Sequence, residues 1–115
     1  MVRESLMTPN GLHEALLQTL PGLRDFSRES IMEGRGIDRW EEVNLHAILH
    51  DFCYSFAHYD ADESQISQLA RIIEISLSAR DNLENAWMTS FLEAGVSKRL
   101  WSHLSREAKV YIKTN

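Results

Sequence analysis

The chain has 115 residues, 17 acidic against 12 basic side chains, a formal net charge of −5 and 43% hydrophobic residues. That length excludes two independent cores, and that balance of apolar and charged residues excludes wholesale disorder, so a single packed domain over residues 1–115 is expected. No run of about 18 apolar residues occurs and the first residues lack a secretion-signal pattern. The single cysteine, Cys53, cannot form an internal disulfide and suits a reducing compartment, so the sequence reads as cytosolic.

Taken in chain order, Thr8-Pro9 predicts an N-cap with proline at the first helical position. Leu12, Ala15, Leu16 and Leu20 then recur at helical spacing until Pro21-Gly22 stops the run. Leu23, Phe26, Ser30 and Ile31 suggest a second short helix, closed by Gly34-Arg35-Gly36. Asp38-Arg39-Trp40-Glu41 has the pattern of a capping box and predicts the start of the main helix. In that helix Leu45, Ile48, Leu49, Phe52, Phe56 and Tyr59 form one stripe, while Asn44, Asp51, Ser55 and His58 make a narrow polar arc.

Asp62 and Gln65 repeat the cap pattern before a face of Ile66, Leu69, Ala70, Ile73 and Leu77. Asp81 to Glu84 does so again before Leu83, Ala86, Trp87, Phe91 and Leu92, with Gly95 as the expected stop. Leu100, Trp101, Leu104, Ala108, Tyr111 and Ile112 form a last stripe, with a break near Ser105 where serine can cap. No segment alternates with the period of two that a strand requires. The expected fold class is therefore all-α, a compact bundle of five to six helices.

Three sets of residues could carry chemistry, and each has a plainer explanation. His46 and His50 lie four apart and both rings could reach one metal, with Cys53 as the nearby third ligand. The glutamate of an HExxH site is missing, since Ala47 stands there, and histidines lining a helix interface account for the pair better. Cys53 with His50 could form a nucleophile and its base, but apolar neighbours raise a thiol's pKa and favour a core role. Asp60, Asp62 and Glu63 hint at a calcium loop, but the glycine and closing glutamate that such loops need are absent. No catalytic residue, metal or cofactor is expected from these patterns.

Charge distribution says more than the total. From Glu41 to Glu93 ten acids stand against Arg71 and Arg80, a net of −8, and from Ala94 onward five bases stand against Glu107 alone, a net of +4. Such an acidic block repels nucleic acid and favours a basic protein partner. If the three long helices run antiparallel, Asp60, Asp62 and Glu63 meet Glu93 at one end of the bundle. Glu41, Glu42, Asp81 and Glu84 then gather at the other. The acids expected to meet a partner are Asp60, Asp62, Glu63, Asp81, Glu84 and Glu93.

From about Leu45 to Ile112 the sequence also resembles a family of small helical bacterial proteins. Some of its members look like immunity proteins encoded beside secreted polymorphic or contact-dependent growth inhibition toxins. The matching residues are Ile73-Glu74, Asp81, Asn85-Ala86 and Ser90-Phe91-Leu92-Glu93. The resemblance implies a cytoplasmic antidote that binds the C-terminal domain of one cognate toxin, often a nuclease, and blocks it without turnover. It implies neither direct nucleic-acid binding nor a membrane. A helical adaptor or regulatory protein with a non-toxin partner is the alternative, and a small metal-dependent enzyme centred on His46 and His50 is a third.

Overall fold

The computed structural model describes residues 3–77, 81–92 and 97–114. Its helices start where a side-chain oxygen meets an exposed backbone N–H. Thr8 Oγ1 accepts from Gly11 N at 3.1 Å and opens α1 (Pro9–Thr19), with proline in its first turn as the sequence predicts. Ser27 Oγ accepts from Ser30 N at 3.1 Å and opens α2 (Arg28–Arg35), which Gly36 closes in the left-handed conformation. This helix starts later than Leu23 and Phe26 suggest, because Asp25 has φ 57°, a conformation no right-handed helix accepts.

The main helix also starts late. Instead of a capping box at Asp38, the chain makes a 3-10 turn at Trp40–Glu42 and then extends through Val43, which is 1% exposed and anchored in the core. Asn44 is the true cap, its side chain accepting from Ala47 N at 2.8 Å, and α3 spans Leu45–Ala57. The box at Asp62 is present as expected. Gln65 N donates to Asp62 at 2.8 Å, Asp62 N donates to the Gln65 side chain at 3.0 Å, and α4 covers Glu63–Ser76.

Asp81 opens α5 (Asn82–Ser90), which ends at Phe91; the expected stop at Gly95 lies outside the described residues. The last stripe is broken at Leu104, whose extended backbone separates α6 (Lys98–His103) from α7 (Arg106–Thr114). Ser105 Oγ accepts from Ala108 N at 3.2 Å and restarts the helix, as its sequence position suggests. Among the described residues there are seven α-helices and no strands, an all-α fold with one break more than a bundle of six.

The core is one continuous cluster to which every helix contributes. The radius of gyration, 13.4 Å, matches the ~13 Å of a compact domain of this length. At its centre Phe52 of α3 stands 6.2 Å from Trp87 and 5.3 Å from Phe91, and Phe56 stacks on Phe91 at 5.9 Å. At the N-terminal end the buried His13 ring lies 5.0 Å from both Phe26 and Trp40, and its Nε2–H donates to Phe26 O at 2.6 Å. Burial lowers the His13 pKa, so the ring is held neutral. Arg28 lies over Trp40 at 5.1 Å, and Lys113 over Trp101 at 5.6 Å.

The helices do not run as a simple antiparallel set. α3 and α4 are joined by a short turn, yet their main packing partners are others, since α1 and α5 each contact both. Contacts from both halves of α3 converge on the last turn of α5: His46 reaches Thr89 and Ser90, while Phe52 and Phe56 reach Phe91. α3 packs chiefly on α5 and α4 chiefly on α6, so α3 and α4 are not each other's main neighbours, as a simple antiparallel set of the three long helices would have them.

Among the described glycines, Gly11 is the one whose place a side chain could not share with the backbone. A Cβ there would overlap the carbonyl oxygen of Ser5, in the 3-10 turn Arg3–Leu6 that lies against α1. Gly34, inside α2, faces open space. Gly34→Ala should therefore raise stability by about 0.5–1 kcal/mol through helix propensity. Gly11→Ala should lower it despite the same propensity gain, and thermal melts of the two variants check the pair.

Candidate functional site

Of the six acids singled out by sequence, the five that are described occupy unlike environments. Asp81 is an internal joint. As the N-cap of α5 it accepts from Glu84 N at 3.2 Å, and both of its oxygens also take hydrogen bonds from Arg3, at 2.7 and 2.8 Å. The same guanidinium donates to the carbonyls of Ile75 and Ser76, at 3.1 and 3.0 Å, where α4 ends. Hydrogen bonding from Arg3 is the main reason why the Asp81 carboxyl is lowered to about 2, with the N–H groups of the α5 first turn adding to it. Glu84 is 3% exposed and lies on the side of α5 that carries Leu83 and Trp87 into the core. Glu84 is thus buried and Asp81 part-buried and engaged by Arg3, so neither is a free surface carboxylate of the kind expected at a binding face.

The turn between α3 and α4 is different. Asp60 and Asp62 are exposed and form no ion pair among the described residues; Asp62 keeps one oxygen on its cap bond. Glu63 is exposed but held from both sides, by Arg99 Nε at 2.7 Å and His103 Nε2 at 2.7 Å. Arg99, then His103, hold its carboxyl below the usual range. Arg99 also donates to Ala61 O, so this cluster ties the start of α4 to α6. Glu93 lies outside the described residues.

The residues of the two reactive constellations turn to different neighbours. His46 turns toward α5, its Nδ1 lying 3.2 Å from Thr89 Oγ1, whereas His50 is exposed and stands edge-on to Tyr54 at 5.5 Å. Burial pushes the Cys53 thiol pKa up, which weakens it as a nucleophile. Among the described residues no three His, Cys, Asp or Glu side chains converge as metal ligands.

Sequence reasoning missed a polar cleft of about 660 Å³ between α2, α3 and the loop before α2. Its floor is the polar arc of α3, with Asp51, Ser55 and His58 joined by His50 and Tyr54, and its opposite wall carries Arg24, Asp25, Ser30 and Arg35. Arg35 is fixed in place, with Asp51 at 3.0 Å and the Ala47 carbonyl at 3.2 Å. Ser55 Oγ donates to Arg24 O at 2.6 Å, and Asp25 holds its left-handed backbone at the edge. Tyr54 is 69% exposed, the most open large apolar side chain described. The signal was available: His50, Tyr54 and His58 recur every four residues and so share one face. With cations, anions and an aromatic ring side by side, the cleft can hold polar groups of either sign.

Comparison with family models, curated proteins and solved structures finds no match to this chain. The likeness to immunity proteins therefore rests on the residues quoted above alone.

The Arg3–Asp81 pair sets a pH dependence. A carboxyl whose pKa falls from 3.8 unfolded to about 2 folded contributes stability that is present above pH 4 and lost as pH falls toward 2. The shift corresponds to about 2 kcal/mol, and solvent screening of a part-exposed pair reduces this toward ~1 kcal/mol. Asp81→Asn should cost about that much at pH 7 in urea melts, and the difference from the parent should vanish near pH 2.

Proposed function

We propose that this chain is a binding protein that neutralises a basic partner, an antidote holding the C-terminal domain of one cognate toxin in the manner of an immunity protein. The observation that carries this reading is a set of exposed carboxylates without ion pairs among the described residues: Asp25, Glu29, Glu33, Asp38, Glu42, Asp60 and Asp62. Exposed charges of one sign steer an oppositely charged protein and speed its capture, and carboxylates can stand in for the phosphates that a nuclease binds. His46 turns to α5, His50 lines the polar cleft and Cys53 the apolar recess, an arrangement that favours binding over turnover. Exposed Tyr54 and Arg24 are residue types enriched where interfaces concentrate their energy.

Co-expression with a toxin domain encoded beside this chain tests the reading directly, with rescue of growth and co-purification as the expected result. The paired change Asp60→Lys with Asp62→Ser reverses or removes charge while keeping a cap oxygen for α4. It should slow association several-fold at low salt and flatten its dependence on ionic strength, with little change in melting temperature. Unaltered rates in that variant would remove the α3–α4 turn from the contact. Tyr54→Ala should weaken binding by about 1–2 kcal/mol where the α2–α3 cleft belongs to the same contact.

A further inference from the structure

A second recess, of about 320 Å³, opens where the end of α3, the turn into α4 and the start of α6 meet. Phe56, Ile66, Phe91 and Leu100 make its walls apolar, and the Cys53 thiol lies in them. The polar groups at its edge are already engaged. Tyr59 OH accepts from Gln65 Nε2 at 3.1 Å, Ser97 Oγ accepts from Leu100 N at 3.2 Å, and Arg99 is bound to Glu63 and the Ala61 carbonyl. Arg99, the cation that lines the recess, is already committed to Glu63 and offers an anionic ligand little. An apolar group needs no cation and releases the recess's water, on the order of ten molecules at about 30 Å³ each.

The rim adds a sign. Asp60 lies in the chain between Tyr59 and Ala61, both of which line the recess, and Asp62 follows; both acids are exposed and without ion pairs among the described residues, two carboxylates against the one ammonium of Lys98 on the facing start of α6. We propose that this recess receives one large apolar side chain of the partner, carried on a segment whose flanking residues are lysine or arginine. The proposal rests on the reading of the chain as a binder of a basic partner, and it names the anchor that such a partner inserts. The acids guide and orient the segment, while burial of the anchor supplies affinity.

The test uses the full chain and three capped peptides: Lys-Lys-Trp-Lys-Lys, Lys-Lys-Ala-Lys-Lys and Glu-Glu-Trp-Glu-Glu. The readouts are the rate of Cys53 alkylation by N-ethylmaleimide and the amide resonances of Ala61 and Leu100. At millimolar concentration the basic tryptophan peptide should slow alkylation at least threefold and shift both resonances. The alanine and acidic peptides should do neither, and Asp60→Lys should abolish the effect of the first. Equal protection by the alanine or acidic peptide, or none by the basic tryptophan peptide, overturns the proposal. Growth rescue without peptide protection removes the recess alone, whereas peptide protection without rescue removes the antidote reading alone.

Discussion

Where α4 ends, its last carbonyls face the start of α5, and both helix ends must find partners or stay solvated. The guanidinium of Arg3 meets both needs at once, taking the carbonyls of Ile75 and Ser76 on one side and the Asp81 carboxylate on the other. Asp81 is 78 positions away in the chain, so a single contact closes the N-terminal turn onto the middle of the fold. α5 starts at this joint and carries Trp87 and Phe91 against Phe52 of α3. Ser5, two residues from Arg3, is then the group that Gly11 must admit.

The same joint explains why acidic residues here cannot be read as one class. A carboxylate at a helix start can serve the helix, an ion pair or a partner, and geometry decides which. Asp81 serves the first two, Glu63 is shared between Arg99 and His103, and Asp60 is left to solvent. The functional reading therefore moves away from helix ends as a group and toward the turn before α4, together with the exposed acids around α2. Placing an apolar recess beside that turn gives charge and burial complementary tasks.

Much of the fold was legible because caps and apolar spacing are local. Thr8, Asp62 and Asp81 start helices as their side chains predict, and Ser105 restarts one. Asp38 failed as a cap because Val43, five residues on, is drawn into the core in an extended conformation, a tertiary demand that outweighs a local pattern. Which aromatic faces of α3 and α5 meet is a long-range matter that spacing along one helix does not encode. For the candidate site, the Arg3 partner of Asp81 is a long-range contact without a sequence signature. Glu84 is another matter: it follows Leu83 and stands three residues before Trp87, so the helical wheel already placed it near the buried face.

The three indoles occupy unlike surroundings: Trp40 beneath the Arg28 guanidinium, Trp87 in the dry interior, and Trp101 beneath the Lys113 ammonium. A nearby cation and an apolar medium move an indole's emission by different amounts, so the chain carries separate optical reporters for its first helices, its centre and its last two. Replacing any two by phenylalanine would isolate the third. The order in which these regions loosen in denaturant could then be watched by light alone, without an added dye.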